Sequence, residues 1–190
     1  MCRKKKNDMI RPIYLYGQGV LRKVAEEADL TKKEELKTLI QDMWDTLAKA
    51  DGCGLAAPQI GESLRVLIVD GDVVADTYDY LQGFRRTMIN PVIKDHSEET
   101  CTYSEGCLSV PGIYSDVRRP SVITVEYYDE NFELKTETFD KFAARMIQHE
   151  LEHLSGHVFT DNLAPIRRKM IEKKLRNISS GKVSTAYKTK

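Results

Sequence analysis

The sequence has no apolar run of the roughly 20 residues that a membrane-spanning helix needs, so a bilayer-embedded reading finds no support in it. It has no low-complexity tract and no internal repeat, which removes disordered and solenoid architectures. Its four cysteines, Cys2, Cys53, Cys101 and Cys107, form no CxxC pair and are too sparse for a small disulfide scaffold. A reducing cytoplasm is the natural setting. Residues 7–16 lack the long apolar stretch and small-residue cleavage site of a signal peptide, so the basic start at residues 3–6 does not direct export. Net charge is lacking too, since 29 Lys and Arg balance 29 Asp and Glu, but the balance is uneven along the chain. Residues 167–190 hold nine Lys and Arg against one acid, Glu172, a net of +8 that leaves −8 on the other 166 residues. Such a segment is either a solvated, mobile tail or a contact for something anionic such as RNA.

What is present fits one globular domain: 190 residues, 41% apolar and 31% charged. We expect residues 9–177 to be that domain, 1–8 to be an extension outside any fold, and 178–190 to be a basic C-terminal tail. The clearest helix spans 31–50, where Leu36, Leu39, Ile40, Met43, Trp44 and Leu47 recur at steps of three and four. Thr31 with Glu34 reads as its capping box and Asp51-Gly52 as its stop. Short β-rich runs follow at 66–69, 88–93 and 122–128, the last turning through Asp129-Glu130-Asn131 into 132–139 as a hairpin. A second helix is expected from Asp140 to Gly156, with Phe142, Met146 and Leu154 inward. Pro165 opens a third, carrying Ile166, Met170 and Leu175. The class is α+β: antiparallel strands packed around a central helix, with further helices towards each end.

That central helix carries His149-Glu150-Leu151-Glu152-His153. Histidines four apart stand one above the other on a helix and can bind one metal, while Glu150 reaches the edge of the same site. There a carboxylate can take a proton from water and hand it to a leaving group. In isolation the five residues also suit an ordinary charged helix, but Met146, Ile147, Leu151 and Leu154 make this one buried, and a buried histidine pair needs a partner. A catalytic metal usually has three protein ligands. His157 lies past the helix end, Phe159 occupies the place of a further histidine, and Glu172 sits in a strongly basic stretch. Cys107, in Glu105-Gly106-Cys107-Leu108-Ser109-Val110-Pro111, is the better candidate, although a buried inert cysteine reads as well on those residues alone. A further segment, Gly52-Cys53-Gly54-Leu55-Ala56-Ala57-Pro58-Gln59, permits close backbone approach and offers the Gln59 amide to a developing oxyanion; a tight turn after the first helix is the simpler reading of it.

These three segments, in this order and spacing, resemble the three motifs of the peptide deformylase family of bacterial type, and the resemblance runs from about Ile10 to Leu163. It implies hydrolysis of the N-formyl group from the initiator methionine of new polypeptides, releasing formate. It implies Cys107, His149 and His153 as metal ligands and Glu150 as general acid–base. Gln59 and the Leu108 N–H correspond to the groups that polarise the formyl oxygen, and Gly54 lies where substrate backbone passes. Met146 is a candidate lining residue for the methionine side chain. The ligand types suit Zn(II), while the family implies Fe(II), replaceable by zinc, nickel or cobalt. Glu152 stands where the family commonly has aspartate. Because substrates emerge from ribosomes, the basic C-terminal segment is expected to contact ribosomal phosphates transiently. Two other readings stay open: a zincin-like metallopeptidase using His149, Glu150 and His153 without Cys107 or Gln59, and a non-enzymatic protein in which Cys101, Cys107, His149 and His153 close a structural zinc site.

Overall fold

A computed structural model describes residues 9–190; the extension expected at 1–8, with Cys2, lies outside the described residues. In chain order the elements are α1 (Lys33–Ala50), β1 (Gly54–Ala56), β2 (Val66–Asp70), β3 (Arg85–His96), β4 (Thr100–Cys107), β5 (Val110–Pro120), β6 (Val122–Tyr128), β7 (Leu134–Asp140), α2 (Lys141–Leu154) and α3 (Pro165–Ser179). Antiparallel pairing joins β1-β2-β3-β6-β7 into one sheet and β4-β5 into a separate ribbon. This is the expected α+β arrangement, and no helix among the described residues is long and apolar enough to cross a membrane.

The sheet is covered on two sides, and β2 shows why its residues read as an unbroken apolar run. Val66 and Ile68 join the core built on Leu36, Leu39, Ile40, Met43 and Leu47 of α1. Leu67 and Val69 join the other core, built on Ala144, Ile147, Leu151 and Leu154 of α2. A strand with both faces buried has no polar positions to alternate. A third cluster gathers Val110, Ile113 and Val117 of β5 with Leu15, Phe159, Leu175 and Ile178.

Several local expectations change. The hydroxyl and N–H of Thr31 both turn back to Asp29 Oδ1, at 2.7 and 3.0 Å, so an Asx turn precedes α1 where a capping box with Glu34 was expected. At the other end Asp51 itself takes the left-handed conformation, with φ 55°. In α3 only Leu175 and Ile178 are buried; Ile166 and Met170 are 73% and 72% exposed, because the first turns of that helix project past the third cluster. Phe142 of α2 is half-buried, whereas Met146 and Leu154 are core. The hairpin β4-β5 and the short β1 were not anticipated: β4 is largely polar, with Glu105 its one buried residue, and β1 is only three residues long. The segment after α3, expected as a mobile tail, is docked. Gly181 (φ 71°) reverses the chain, and residues 188–190 pair in parallel with Ile13.

Candidate active site

Helix α2 is held against β1 and β2, which places His149 and His153 beneath the turn joining β4 to β5. The two imidazole centroids lie 5.3 Å apart at 76°. Cys107 ends β4 and points its Sγ to within 3.2 Å of His153 Nε2, and one donor atom from each of Cys107, His149 and His153 lies within 4.8 Å of the other two. These residues therefore meet as a donor set of one thiol and two imidazoles. Cys101 does not join it among the described residues; its carbonyl instead accepts from Arg145 Nη2 at 2.8 Å, so the closed four-ligand zinc site loses a ligand.

The set fits a divalent metal by its chemistry. His149 Nδ1 donates to Glu105 Oε2 at 2.9 Å, which leaves Nε2 as the lone-pair nitrogen of that ring. Burial holds His153 well below the usual imidazole range, in the neutral form that a ligand requires. For His149 burial acts in the same direction, but hydrogen bonds to Cys107 and Glu105 outweigh it and raise the ring, so a bound cation would displace a proton from this imidazole.

Glu105 is the centre of a buried ionic network. Its Oε1 accepts from Arg119 Nε and Arg145 Nη1, both at 2.7 Å, and its Oε2 from Arg119 Nη2 at 2.9 Å as well as from His149. Burial alone would raise this carboxyl; the bonds from Arg119 and His149 prevail and hold it well below the usual carboxylate range. Arg119 turns its other edge to Glu152, at 2.5 and 3.0 Å, and Asn162 Nδ2 donates to Glu152 Oε1 at 2.7 Å. Glu152, left without a role by the sequence, is thus the outer carboxylate of this network. Sequence reasoning missed Glu105, Arg119 and Arg145 as supports. Arg145 did leave a signal, being a charge one turn before His149 on the apolar face of α2; Arg119 left none.

Glu150 Oε2 is buried with no protein partner, and burial pushes this carboxyl up to about 7. Gly54 makes room for it: a Cβ there would lie 2.9 Å from Glu150 Cδ and overlap Oε1. Gln59 is buried at 1% exposure; its Oε1 accepts the Ala56 N–H at 2.8 Å, which turns Nε2 towards Ser109 Oγ at 3.2 Å and Cys107 Sγ at 3.6 Å. Cys53 is also close by, but burial and the Glu150 charge push its thiol up to about 11, in the protonated, unreactive form. Gly54, Gln59, Cys107, Leu108, Met146, His149 and Glu150 all line one cavity of about 420 Å³, a size suited to a peptide end. His153 is not among its lining residues, being 1% exposed behind them.

The same residues connect the chain to known proteins. The family model described as polypeptide deformylase matches residues 10–169. The peptide deformylase of Christiangramia forsetii is 44% identical over 187 residues, covering 95% of each chain, and that of Flavobacterium psychrophilum is 45% identical over 190 residues, covering 96% of this chain and 97% of its own. The crystal structure of a peptide deformylase from Legionella pneumophila superposes with a TM-score of 0.79 at 37% identity, over 91% of this chain and 97% of that one. With likeness running nearly end to end in both sequence and structure, this chain belongs to the polypeptide deformylase family.

Proposed function

We propose that the cavity binds the N-formylmethionyl end of a newly made polypeptide and that its own side chains divide the work of hydrolysing the formyl group to formate. Deformylation is the activity of the family to which the chain belongs. Cys107, as thiolate, and the imidazoles of His149 and His153 hold one divalent ion, which when bound supplies Lewis acidity towards water and the formyl oxygen. Fe(II) is the physiological metal by family resemblance; Zn(II), Ni(II) and Co(II) suit the same donors.

Glu150 is the general acid–base. It takes the proton of the attacking water and returns it to the amine of methionine as the C–N bond breaks. Its burial supports the role, because a carboxylate of ordinary acidity is too weak a base to hold a proton taken from water, whereas one raised to about 7 can both take the proton and give it up near neutral pH. Gln59 Nε2–H and the Leu108 N–H stabilise the negative charge that grows on the formyl oxygen. The Gln59 amide is already oriented, since its carbonyl is tied to Ala56. Gly54 keeps the floor beside Glu150 free of a side chain, which leaves that carboxylate its place next to the formyl group. Met146 lines the pocket for the methionine side chain. The exposed basic face of α3 draws the enzyme to ribosomal phosphates in the cytoplasm, where these substrates arise.

The observation that carries this reading is that Gln59, Cys107, His149 and Glu150, from three separate sequence segments, line one cavity. A zincin-like peptidase has no use for the Gln59–Cys107 contact. The test is formate release from a formyl-Met tripeptide by anaerobic, Fe(II)- or Ni(II)-loaded protein, beside Glu150→Ala and an unformylated peptide. Release that vanishes in the variant is the expected result; none from folded, loaded wild type sinks the reading.

A further inference from the structure

The docked C-terminal segment is not used by the mechanism above, yet it reaches the same cavity. After α3 the Gly181 and Lys182 N–H groups close onto Ile178 and Asn177 carbonyls at 3.0 and 2.8 Å, reversing the chain. Residues 183–190 then run back to the N-terminal segment. Ile13 N–H donates to Lys188 O at 2.9 Å, Lys190 N–H to Ile13 O at 2.9 Å, and Leu15 N–H to Lys190 O at 3.1 Å. Ile13 is wholly buried, so this pairing is anchored in the core.

The alternate residues of the same N-terminal segment point the other way. Tyr14 N–H donates to Gln59 O and Tyr16 N–H to Ser109 O, both at 2.8 Å. Residues 13–16 are therefore a shared rail, binding the C-terminal strap on one edge and the backbones of Gln59 and Ser109 on the other. The strap also makes a direct contact: Tyr187 Oη donates to Leu108 O at 2.7 Å, and its ring packs on the α1 core beside Leu108. Thr185 Oγ1 donates to Tyr187 O at 2.7 Å, setting the turn that aims the ring. Ser184, Thr185 and Tyr187 line the cavity together with Leu108 and Glu150.

We propose that residues 183–190 form a wall of the substrate site, against which the peptide beyond its formylated residue lies, and that Tyr187 is a positioning residue holding Leu108 in place. The proposal rests on the deformylase reading for its substrate. A phenol on the Leu108 carbonyl restricts rotation of the Leu108–Ser109 peptide, and so fixes the residue whose N–H meets the formyl oxygen. Burial pushes the Tyr187 hydroxyl up to about 12, so it stays a donor throughout the physiological range.

The test uses metal-loaded full-length protein, Tyr187→Phe, and a variant ending at Tyr187 that loses the pairing with Ile13. Each is assayed for kcat and KM on formyl-Met amide and on a formyl-Met tripeptide. Tyr187→Phe, which removes one neutral hydrogen bond, is expected to lower kcat about fivefold on both substrates with KM unchanged. Its amide hydrogen exchange should quicken at residues 107–110 and nowhere else. The shortened variant should show the same fall in kcat together with a raised KM for the tripeptide alone. Wild-type kcat and exchange in Tyr187→Phe overturn the positioning role, as does a fall in kcat accompanied by faster exchange throughout the chain. An unchanged tripeptide KM in the shortened variant overturns the wall. Loss of formate release in wild type is a separate result that sinks the deformylase reading, while the exchange comparison still judges the hydrogen bond.

Discussion

Replacing Glu105 by Gln tests whether the ionic network, and not the metal ligands alone, builds the site. The substitution keeps volume but removes the charge that compensates Arg119 and Arg145 at a position whose side chain is 4% exposed. Removing one partner of a buried pair typically costs about 3–5 kcal/mol, because the remaining charge is left without compensation. For a chain of this length each kcal/mol lowers Tm by about 2–4 °C, so a fall of roughly 6–20 °C is expected in metal-free protein. Glutamine also sets a donor where Oε1 or Oε2 had accepted, so either His149 Nδ1–H or an arginine loses its bond. Losing the partner that orients a metal-binding imidazole costs about 10–100-fold in affinity, read by competition with a chelator. Glu152→Gln is the control. Its carboxylate is 24% exposed and Arg119 keeps Glu105, so about 1 kcal/mol or less is expected, with metal affinity unchanged. A Glu105→Gln protein within 1 kcal/mol of wild type by urea unfolding, and equal to it in metal affinity, would refute this account.

Gly54→Ala places a Cβ 2.9 Å from Glu150 Cδ and should displace that carboxylate, lowering kcat on the order of 100-fold while metal content by elemental analysis stays unchanged. At the far edge of the sheet, Glu137 bonds Arg86 at 3.0 Å and also accepts from Tyr127; burial raises its pKa, and these bonds more than offset the rise. A depressed folded-state pKa contributes stability above the ordinary 4.5 that is lost as pH falls through the lower folded value. Glu137→Gln should therefore lower Tm of metal-free protein by a degree or two at pH 7 (about 0.5 kcal/mol, since the pair is part-exposed), and the gap should close as pH falls below the ordinary 4.5 and through the lower folded value; an unchanged gap in a pH series of melts counts against it. Charge reversal of the exposed Lys173 and Lys174 should weaken ribosome co-sedimentation and flatten its salt dependence without changing formate release. Deletion of residues 167–190 is the poorer test, because Leu175 and Ile178 are core.

How far the sequence was legible follows the range of each interaction. The stripe on α1, the apolar run of β2 and the hairpin β6-β7 are set by neighbours within a few residues, and they appear where periodicity puts them. The histidine pair was legible for the same reason, because one helix turn sets its spacing. Cys107 was ambiguous from spacing alone, since its approach to His153 depends on β4, a strand with little apolar alternation. The Asx turn at Asp29 and the docked strap were not legible. The first is a competition between two local hydrogen-bonding options, and the second depends on Ile13, more than 170 residues away in the chain.

That last dependence bears on how the site is kept rigid. Gln59 and Leu108 sit on turns, which by themselves give imprecise placement. Each is nonetheless tied to a partner distant in the chain: Gln59 O to Tyr14, Ser109 O to Tyr16, and Leu108 O to Tyr187. The ligands on α2 are fixed differently, through Glu105 and the guanidinium groups of Arg119 and Arg145 behind them. One side of the cavity is therefore held by uncharged hydrogen bonds to backbone carbonyls, which pH and salt scarcely touch, and the other by buried charge. Perturbing the charged side should change metal retention first, whereas perturbing the backbone side should change kcat with the metal still bound.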